Sequence, residues 1–245
     1  MTDKTVFHWY SERLQRHLPL VRWGHYGQPV LAFATAGGDP EEIERWQMID
    51  ALRGLIDAGR IKVYSVDSTA GRAWIDRRDD PLHGTWIQDQ YDSYIAYEVV
   101  PAIRADCHAS SIDVIATGAS IGAFNALASL CRHPDLFRAA ICMSGSYNLE
   151  NFVRGHFTER FYLSSPWHFL PNLHGGWQLD VLRHRFALLA MGEGRWEDPG
   201  ETWAMAKILG DKGVPNRVDA WGPEWDHDWP TWRRMLPLYL DELTR

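Results

Sequence analysis

The chain has 245 residues, of which 45% are hydrophobic and 23% are charged, and its formal net charge is −7. This composition excludes collagen-like and disordered proteins and predicts one α/β domain over residues 1–245. The acidic balance, without any run of Lys or Arg, argues against a nucleic-acid partner. No apolar stretch approaches the roughly 18 residues that span a bilayer, and the first residues do not resemble a secretory signal, so we expect a cytoplasmic protein without a membrane partner.

Short apolar runs alternate with segments of helical periodicity, which predicts a mostly parallel sheet with helices on both faces. A weakly alternating antiparallel pair comes first, near 6–10 and 20–26. Six buried strands follow, at 29–35, 61–67, 112–117, 139–144, 186–191 and 217–221. Helices are predicted at 39–59, 88–103, 120–132, 201–210 and 231–243. The first helix has Asp39 as its N-cap, Pro40 at its first position and Gly59 at its end.

Residues 147–182 depart from this alternation. The segment is rich in aromatic residues and is interrupted by Pro166, Pro171 and a pair of glycines. These features predict a short, irregular, lid-like insertion over one edge of the sheet. Seven of the thirteen tryptophans lie between Trp177 and Trp232, where they either pack in the core or line an apolar pocket.

The three cysteines, Cys107, Cys131 and Cys142, each lie near a predicted buried element. Their odd number and their spacing fit neither a disulfide framework nor a metal or redox pair. We therefore expect free, reduced thiols in the core.

Gly118, Ser120 and Gly122 form a Gly-x-Ser-x-Gly pattern between a predicted strand and a predicted helix. This strand-turn-helix setting is typical of a nucleophile elbow, in which the serine adopts a strained backbone and the glycines permit close packing. The N-terminus of the helix favours a developing oxyanion. The alternative is an ordinary structural turn, and the setting favours Ser120 as a nucleophile.

A serine nucleophile needs a base, which in this arrangement follows the last strand. His227 lies after the last predicted strand and before the final helix, and it is the predicted base. The orienting acid is expected after the preceding strand, where the sequence offers Glu193, Glu197 and Asp198. Glu197 is preferred because of its longer reach, and because Asp198, next to Pro199, fits a helix cap. Asp198 and then Glu193 stay as alternatives.

An oxyanion hole requires two backbone N–H donors. The amide of Ile121 directly follows the nucleophile and is the first predicted donor. The second is expected in the TAGGD loop after the strand at 29–35, with Gly37 preferred and Ala36 and Gly38 as alternatives. A tight turn without any further role is the other interpretation of this double glycine.

Acidic residues surround His227 in the sequence, at Glu224, Asp226 and Asp228. A metal site is disfavoured there, because a single imidazole lacks a second ligand at a recognisable spacing. Asp226 and Asp228 are expected to be turn or capping groups.

Two long stretches carry a family resemblance, GASIGAFNALASLCRHPDLFRAAICMSGSY and KGVPNRVDAWGPEWDHDWPTWRRMLPLYL. They resemble the elbow and the histidine loop of the putative esterase family in the α/β-hydrolase superfamily, which includes S-formylglutathione hydrolases, feruloyl esterases and mycolyltransferases. Ile121 and Ala123 stand where that family often has Met and Gly. The resemblance implies an α/β-hydrolase fold and a serine esterase that cleaves a small-molecule carboxylic ester or thioester without a cofactor.

Two other functions remain open at this stage. An acyltransferase would use the same triad with a different acceptor, and a non-catalytic binding protein could use a hydrolase scaffold. The joint presence of the elbow, the late histidine and the acids argues against the binding protein. The sequence leaves open which acyl group is recognised and whether the chain forms a homo-oligomer.

Overall fold

The central feature of the computed structural model, which describes residues 3–75 and 80–245, is one mixed sheet. Within these residues eight strands pair in the order β1-β2-β4-β3-β5-β6-β7-β8. They are β1 Lys4–Ser11, β2 Arg16–Trp23, β3 Gln28–Phe33, β4 Ile61–Val66, β5 Val114–Ala119, β6 Phe137–Met143, β7 Phe186–Met191 and β8 Asn216–Ala220. The first two strands are antiparallel to their neighbours, and β3 to β8 are parallel. The predicted strands are thus confirmed, with shifted ends.

The central strands are continuous apolar runs because both faces of the sheet are covered. In β3, Leu31 and Phe33 pack into the core on one face, while Val30 and Ala32 pack into the core on the other. This division follows the alternation of side chains along a strand. All six residues of β5, the strand that precedes Ser120, are buried.

The helices cover both faces of the sheet, as predicted. They are α1 Glu42–Arg45, α2 Met48–Asp57, α3 Thr69–Ile75, α4 Pro81–Tyr94, α5 Val100–Asp106, α6 Ile121–Arg132, α7 Glu150–Val153, α8 Glu159–Ser164, α9 Pro166–Phe169, α10 Trp177–Leu182, α11 Pro199–Asp211 and α12 Trp229–Leu243, with a π-helical turn at Ile95–Val99 and a 3₁₀ turn at Leu170–Asn172. Helices α2 and α12 share one core with the sheet, and α4, α6 and α11 share the other. Over the described ranges, no helix is long and apolar enough to cross a membrane.

The prediction of one helix over 39–59 is wrong, because the segment divides into α1 and α2. Gln47 adopts a left-handed backbone with φ +61° between the two helices. The ring of Trp46 stacks on Trp229 of α12, with 6.0 Å between the ring centroids. Glu42 turns its carboxylate back to accept the N–H of Thr35 at 2.8 Å. These long-range contacts interrupt a segment whose local pattern is helical throughout.

The insertion at 147–182 is built from α7 to α10 and the 3₁₀ turn, so it is more regular than predicted. Leu149, Val153 and Phe161 from this insertion pack against Ile121 and Phe124 at the start of α6. The insertion therefore covers the helix that follows Ser120.

Candidate active site

Ser120 lies in a strained turn between β5 and α6. Its φ of +57° and ψ of −125° are a conformation that L-residues rarely adopt, and such strain is found mainly at functional sites. The Ser120 N–H donates to the carbonyl of Met143 at 3.0 Å, and its own carbonyl accepts the N–H of Ser146 at 3.3 Å. The backbone at the end of β6 thus holds the serine in the predicted elbow.

The two glycines of the elbow stand where a side chain would collide with backbone. A Cβ on Gly118 would overlap the backbone of Gly122, and a Cβ on Gly122 would overlap the carbonyl of Phe33 in β3. Glycine is therefore required for α6 to pack this closely on β5 and β3. The close packing at Gly118 and Gly122 places the N-terminus of α6 directly behind Ser120, at the edge of the sheet.

Glu197 and His227 are brought together on adjacent loops after β7 and β8. The Oε2 atom of Glu197 lies 3.7 Å from Nδ1 of His227. The Glu197 side chain is 2% exposed, whereas the His227 side chain is 21% exposed. A buried carboxylate beside a partly open imidazole is the arrangement that orients a catalytic histidine.

The two alternative acids occupy other positions. Asp198 caps α11 by accepting the N–H of Glu201 at 3.1 Å, which confirms the predicted capping role. Glu193 is exposed, and its backbone N–H donates to the carbonyl of Gly222. Of the three predicted acids, Glu197 is therefore the one that faces the histidine.

A clamp between the two loops fixes His227 relative to Glu197. Asp226 accepts the backbone N–H of Arg195 at 2.7 Å and its guanidinium N–H groups at 2.9 and 2.6 Å. These hydrogen bonds from Arg195 hold the pKa of Asp226 below its usual value. The backbone N–H of His227 donates to the Arg195 carbonyl at 3.0 Å. Asp228 caps α12 as predicted, whereas the Asp226 side chain bridges to Arg195 on the other loop instead of capping a turn.

The loop expected to supply the second oxyanion donor is held from two sides. Glu42 accepts the N–H and the hydroxyl of Thr35 at 2.8 and 2.6 Å. Arg72 donates to the carbonyl of Gly38 at 3.1 Å. Gly37 has a φ of +78°, which favours glycine. The N–H of Gly38 already donates to the Thr35 carbonyl, which removes Gly38 as a donor and leaves Gly37 and Ala36.

Sequence reasoning missed the residues that surround the acid. The Oε1 atom of Glu197 accepts the Ser144 hydroxyl at 2.6 Å and the N–H of Gly192 at 3.2 Å. Trp232 donates its indole N–H to Ser144 at 2.9 Å, and its ring packs edge-on against His227 at 5.3 Å. The sequence did place Ser144 directly after β6. Because parallel strands end at the same edge of a sheet, this position predicts that Ser144 lies near the residues that follow β5 and β7.

An apolar cavity lies beneath the elbow, between the sheet and helices α2 and α12. Gly118, Met143, Trp229 and Trp232 are among its walls. Its volume is about 20 Å³, enough for roughly one water-sized group. Trp229 and Trp232 thus pack in the core, which is the first of the two roles considered for the tryptophans, and they also border this small cavity.

The same edge of the sheet carries Ser120 after β5, Ser144 after β6, Glu197 after β7 and His227 after β8. A serine, a buried carboxylate and an imidazole at one edge of the sheet are suited to nucleophilic acyl transfer.

Comparison with known proteins gives a family match and several similar folds. The family described as "Putative esterase" matches residues 59–240. No curated protein matches the chain by sequence. A ferulic acid esterase structure has a TM-score of 0.77 at 17% identity, covering 100% of this chain and 98% of that one.

Two further structures are similar to this chain over more than nine-tenths of both chains. The fluorophosphonate-binding serine hydrolase F of Staphylococcus aureus has a TM-score of 0.71 at 14% identity, with 100% and 99% coverage of this chain and that chain. An S-formylglutathione hydrolase from Agrobacterium tumefaciens has a TM-score of 0.71 at 12% identity, with 98% and 92% coverage. These similarities confirm the predicted α/β-hydrolase fold.

Proposed function

The chain belongs to the putative esterase family and is a carboxylic ester hydrolase, and we propose that Ser120, His227 and Glu197 are its catalytic triad. The observation that carries this proposal is the placement of the strained Ser120 at the edge where buried Glu197 faces His227 at 3.7 Å. The substrate is a small-molecule carboxylic ester or thioester.

In the acylation step, Oγ of Ser120 attacks the carbonyl carbon of the ester while Nε2 of His227 accepts the hydroxyl proton. The new Oγ–C bond produces a tetrahedral oxyanion, for which the amides of Ile121 and Gly37 are the proposed donors. Collapse of this intermediate breaks the bond to the leaving alcohol or thiol, which takes the proton from His227. An acyl group then remains on Ser120.

In the deacylation step, His227 removes a proton from water, and the hydroxide attacks the acyl carbon. The second intermediate breaks the bond to Oγ of Ser120, which recovers its proton from His227. Glu197 stabilises the imidazolium that forms twice in each cycle. The 3.7 Å separation between Glu197 and His227 is expected to shorten with substrate bound, since catalytic hydrogen bonds are often long in the free enzyme.

Turnover of 4-nitrophenyl acetate by purified variants tests the proposal. Ser120→Ala and His227→Ala should each lower kcat by about 10⁴-fold or more, because each removes a member of a unit. Ser146→Ala is the matched control, since this half-buried serine lies at the same edge and has no proposed catalytic role. Its kcat should stay within about two-fold of wild type. A folded Ser120→Ala enzyme with wild-type turnover would overturn the proposal.

We also propose that residues 1–245 form one cytoplasmic domain. One sheet contains strands from Lys4 to Ala220, which supports a single domain. Cys107, Cys131 and Cys142 are free, and the last two are buried, which suits a reducing compartment. Fractionation of cells that express a tagged chain should recover it with a cytosolic marker enzyme. Recovery with secreted proteins would contradict this location.

A further inference from the structure

We propose that Ser144 and Trp232 are positioning residues that hold the triad acid in its working orientation. This inference rests on the proposed triad of Ser120, His227 and Glu197. Its basis is a chain of two hydrogen bonds that leads from Trp232 through Ser144 to Glu197, at 2.9 and 2.6 Å.

The direction of both hydrogen bonds follows from the groups involved. An indole N–H can only donate, so the oxygen of Ser144 accepts from Trp232. The single proton of the Ser144 hydroxyl is then free to point at Glu197. An ionised carboxylate can only accept, so the chain of donors ends on Oε1 of Glu197. Trp232 thus fixes the orientation of the Ser144 hydroxyl towards the acid.

This arrangement distinguishes the two oxygens of Glu197. Oε1 accepts from the Ser144 hydroxyl and from the N–H of Gly192, whereas Oε2 faces Nδ1 of His227. Because the Glu197 side chain is only 2% exposed, its oxygens depend on protein donors for their hydrogen bonds. With Oε1 occupied, Oε2 is the oxygen left to accept from the imidazole.

Ser144 itself is held firmly in place. It is buried and has a φ of +47°, an uncommon conformation for a residue with a side chain. Its backbone N–H donates to the Ala190 carbonyl at 2.7 Å. The strained turn after β6 therefore delivers a single hydroxyl to the acid, much as the turn after β5 delivers Ser120.

Trp232 contacts the base of the triad directly and the acid through Ser144. Its N–H reaches Glu197 through Ser144, and its ring edge packs against the His227 imidazole at 5.3 Å and 78°. A second edge-on contact, with Trp229 at 5.3 Å, anchors the ring within α12. One buried indole therefore positions Glu197 and His227 together.

The test measures the pH dependence of kcat/KM for 4-nitrophenyl acetate, with corrections for nitrophenol ionisation. Ser144→Ala removes one charge-assisted hydrogen bond from a buried carboxylate and leaves Trp232 without its acceptor. We expect kcat to fall about 10- to 100-fold with KM within about three-fold. The acidic limb of the profile should move to higher pH, because a hydrogen bond to the charged form of the acid is lost.

Trp232→Phe keeps an aromatic ring beside His227 and removes the N–H donor together with the pyrrole part of the indole. Its kcat should fall about 3- to 10-fold, with a smaller shift of the acidic limb. Trp9→Phe is the matched control, because the Trp9 indole N–H donates to Glu98 at 2.9 Å and β1 lies at the opposite end of the sheet from β7 and β8. This control loses a comparable indole hydrogen bond and should keep the wild-type profile.

The double variant gives the sharpest result. Because the indole N–H acts through the Ser144 hydroxyl, adding Trp232→Phe to Ser144→Ala should cost no more than about two-fold further in kcat. Multiplication of the two single effects would overturn the proposed relay. Wild-type kcat and an unshifted acidic limb in folded Ser144→Ala would also overturn it.

Failure of this inference can be told apart from failure of the triad. If Glu197→Gln abolishes turnover while Ser144→Ala and Trp232→Phe keep wild-type kinetics, the triad assignment is supported and the positioning role is wrong. If Glu197→Gln keeps wild-type kinetics, the triad assignment is wrong, and so is the positioning role that depends on it. Thermal unfolding of each variant establishes that it is folded.

Discussion

The identity of the acid is the most informative point to test, and Glu197→Gln paired with Asp198→Asn tests it. The two side chains are adjacent in sequence but have different contacts, because Glu197 faces His227 and Asp198 caps α11. Both substitutions replace a carboxylate by an amide of the same shape. Any difference in turnover therefore reports the role of the carboxylate.

The expected loss for Glu197→Gln follows from the contacts of its two oxygens. The glutamine oxygen would retain the donors Ser144 and Gly192, so the amide NH₂ would face Nδ1 of His227. That contact favours the tautomer in which Nδ1 is an acceptor and Nε2 carries the proton. Nε2 then cannot accept the proton of Ser120. We expect kcat/KM to fall about 10³- to 10⁴-fold, which corresponds to about 4–5.5 kcal/mol.

Asp198→Asn should leave turnover within about two-fold of wild type. Asparagine is as good an N-cap as aspartate, so the start of α11 should be retained as well. The assay is hydrolysis of 4-nitrophenyl acetate at pH 7.5, with thermal unfolding as the folding control. Glu197 is not the triad acid if Asp198→Asn loses as much activity as Glu197→Gln, or if Glu197→Gln retains more than about a third of wild-type turnover.

Three further outcomes are expected from other parts of the structure. Gly118→Ala places a methyl group against backbone of the next helix and should lower the free energy of unfolding in urea by about 2–3 kcal/mol; an unchanged midpoint would contradict the packing argument. Glu42→Gln weakens the two hydrogen bonds from Thr35 that hold the TAGGD loop, and it should lower kcat about 10-fold with little change in KM. An unchanged kcat would show that these hydrogen bonds do not contribute to catalysis. Burial opposes ionisation of Asp106, but the hydrogen bonds from Lys62 and Tyr64 and the charges of Lys62 and Arg22 together outweigh burial and lower its pKa from 3.8, so its stabilisation is present above that pH and is lost as the pH falls. Asp106→Asn should therefore cost about 2–3 kcal/mol at pH 7 and progressively less as the pH falls below 3.8, and a cost that does not change with pH would contradict this ion pair.

The parts of the site that could be predicted from sequence depend on local pattern and chain order. The elbow around Ser120 combines a buried strand, two glycines and a helix within a few residues, and all of these are visible in sequence. His227, the proposed base, was chosen because the chain order places such a histidine after the last strand, and the structure brings it to 3.7 Å from Glu197. Asp198 was recognised as a cap from its neighbour Pro199, and the structure confirms that role.

The parts that could not be predicted depend on contacts between distant residues. Ser144 is 53 residues from Glu197 and 88 residues from Trp232, so no local pattern connects them. The helix predicted over 39–59 fails for the same reason, since Trp46 leaves the helical path to stack on Trp229 of the last helix. Tertiary packing outweighs local helix propensity at that point.

The most direct test of the central claim is the site of covalent labelling by a fluorophosphonate, mapped by peptide mass spectrometry. A nucleophilic serine in the elbow predicts one phosphonyl group per chain, located on Ser120, with labelling lost in Ser120→Ala and strongly slowed in His227→Ala. Ser146→Ala should be labelled at the wild-type rate. A folded wild-type chain that takes no label, or that takes it on a residue other than Ser120, would contradict the account.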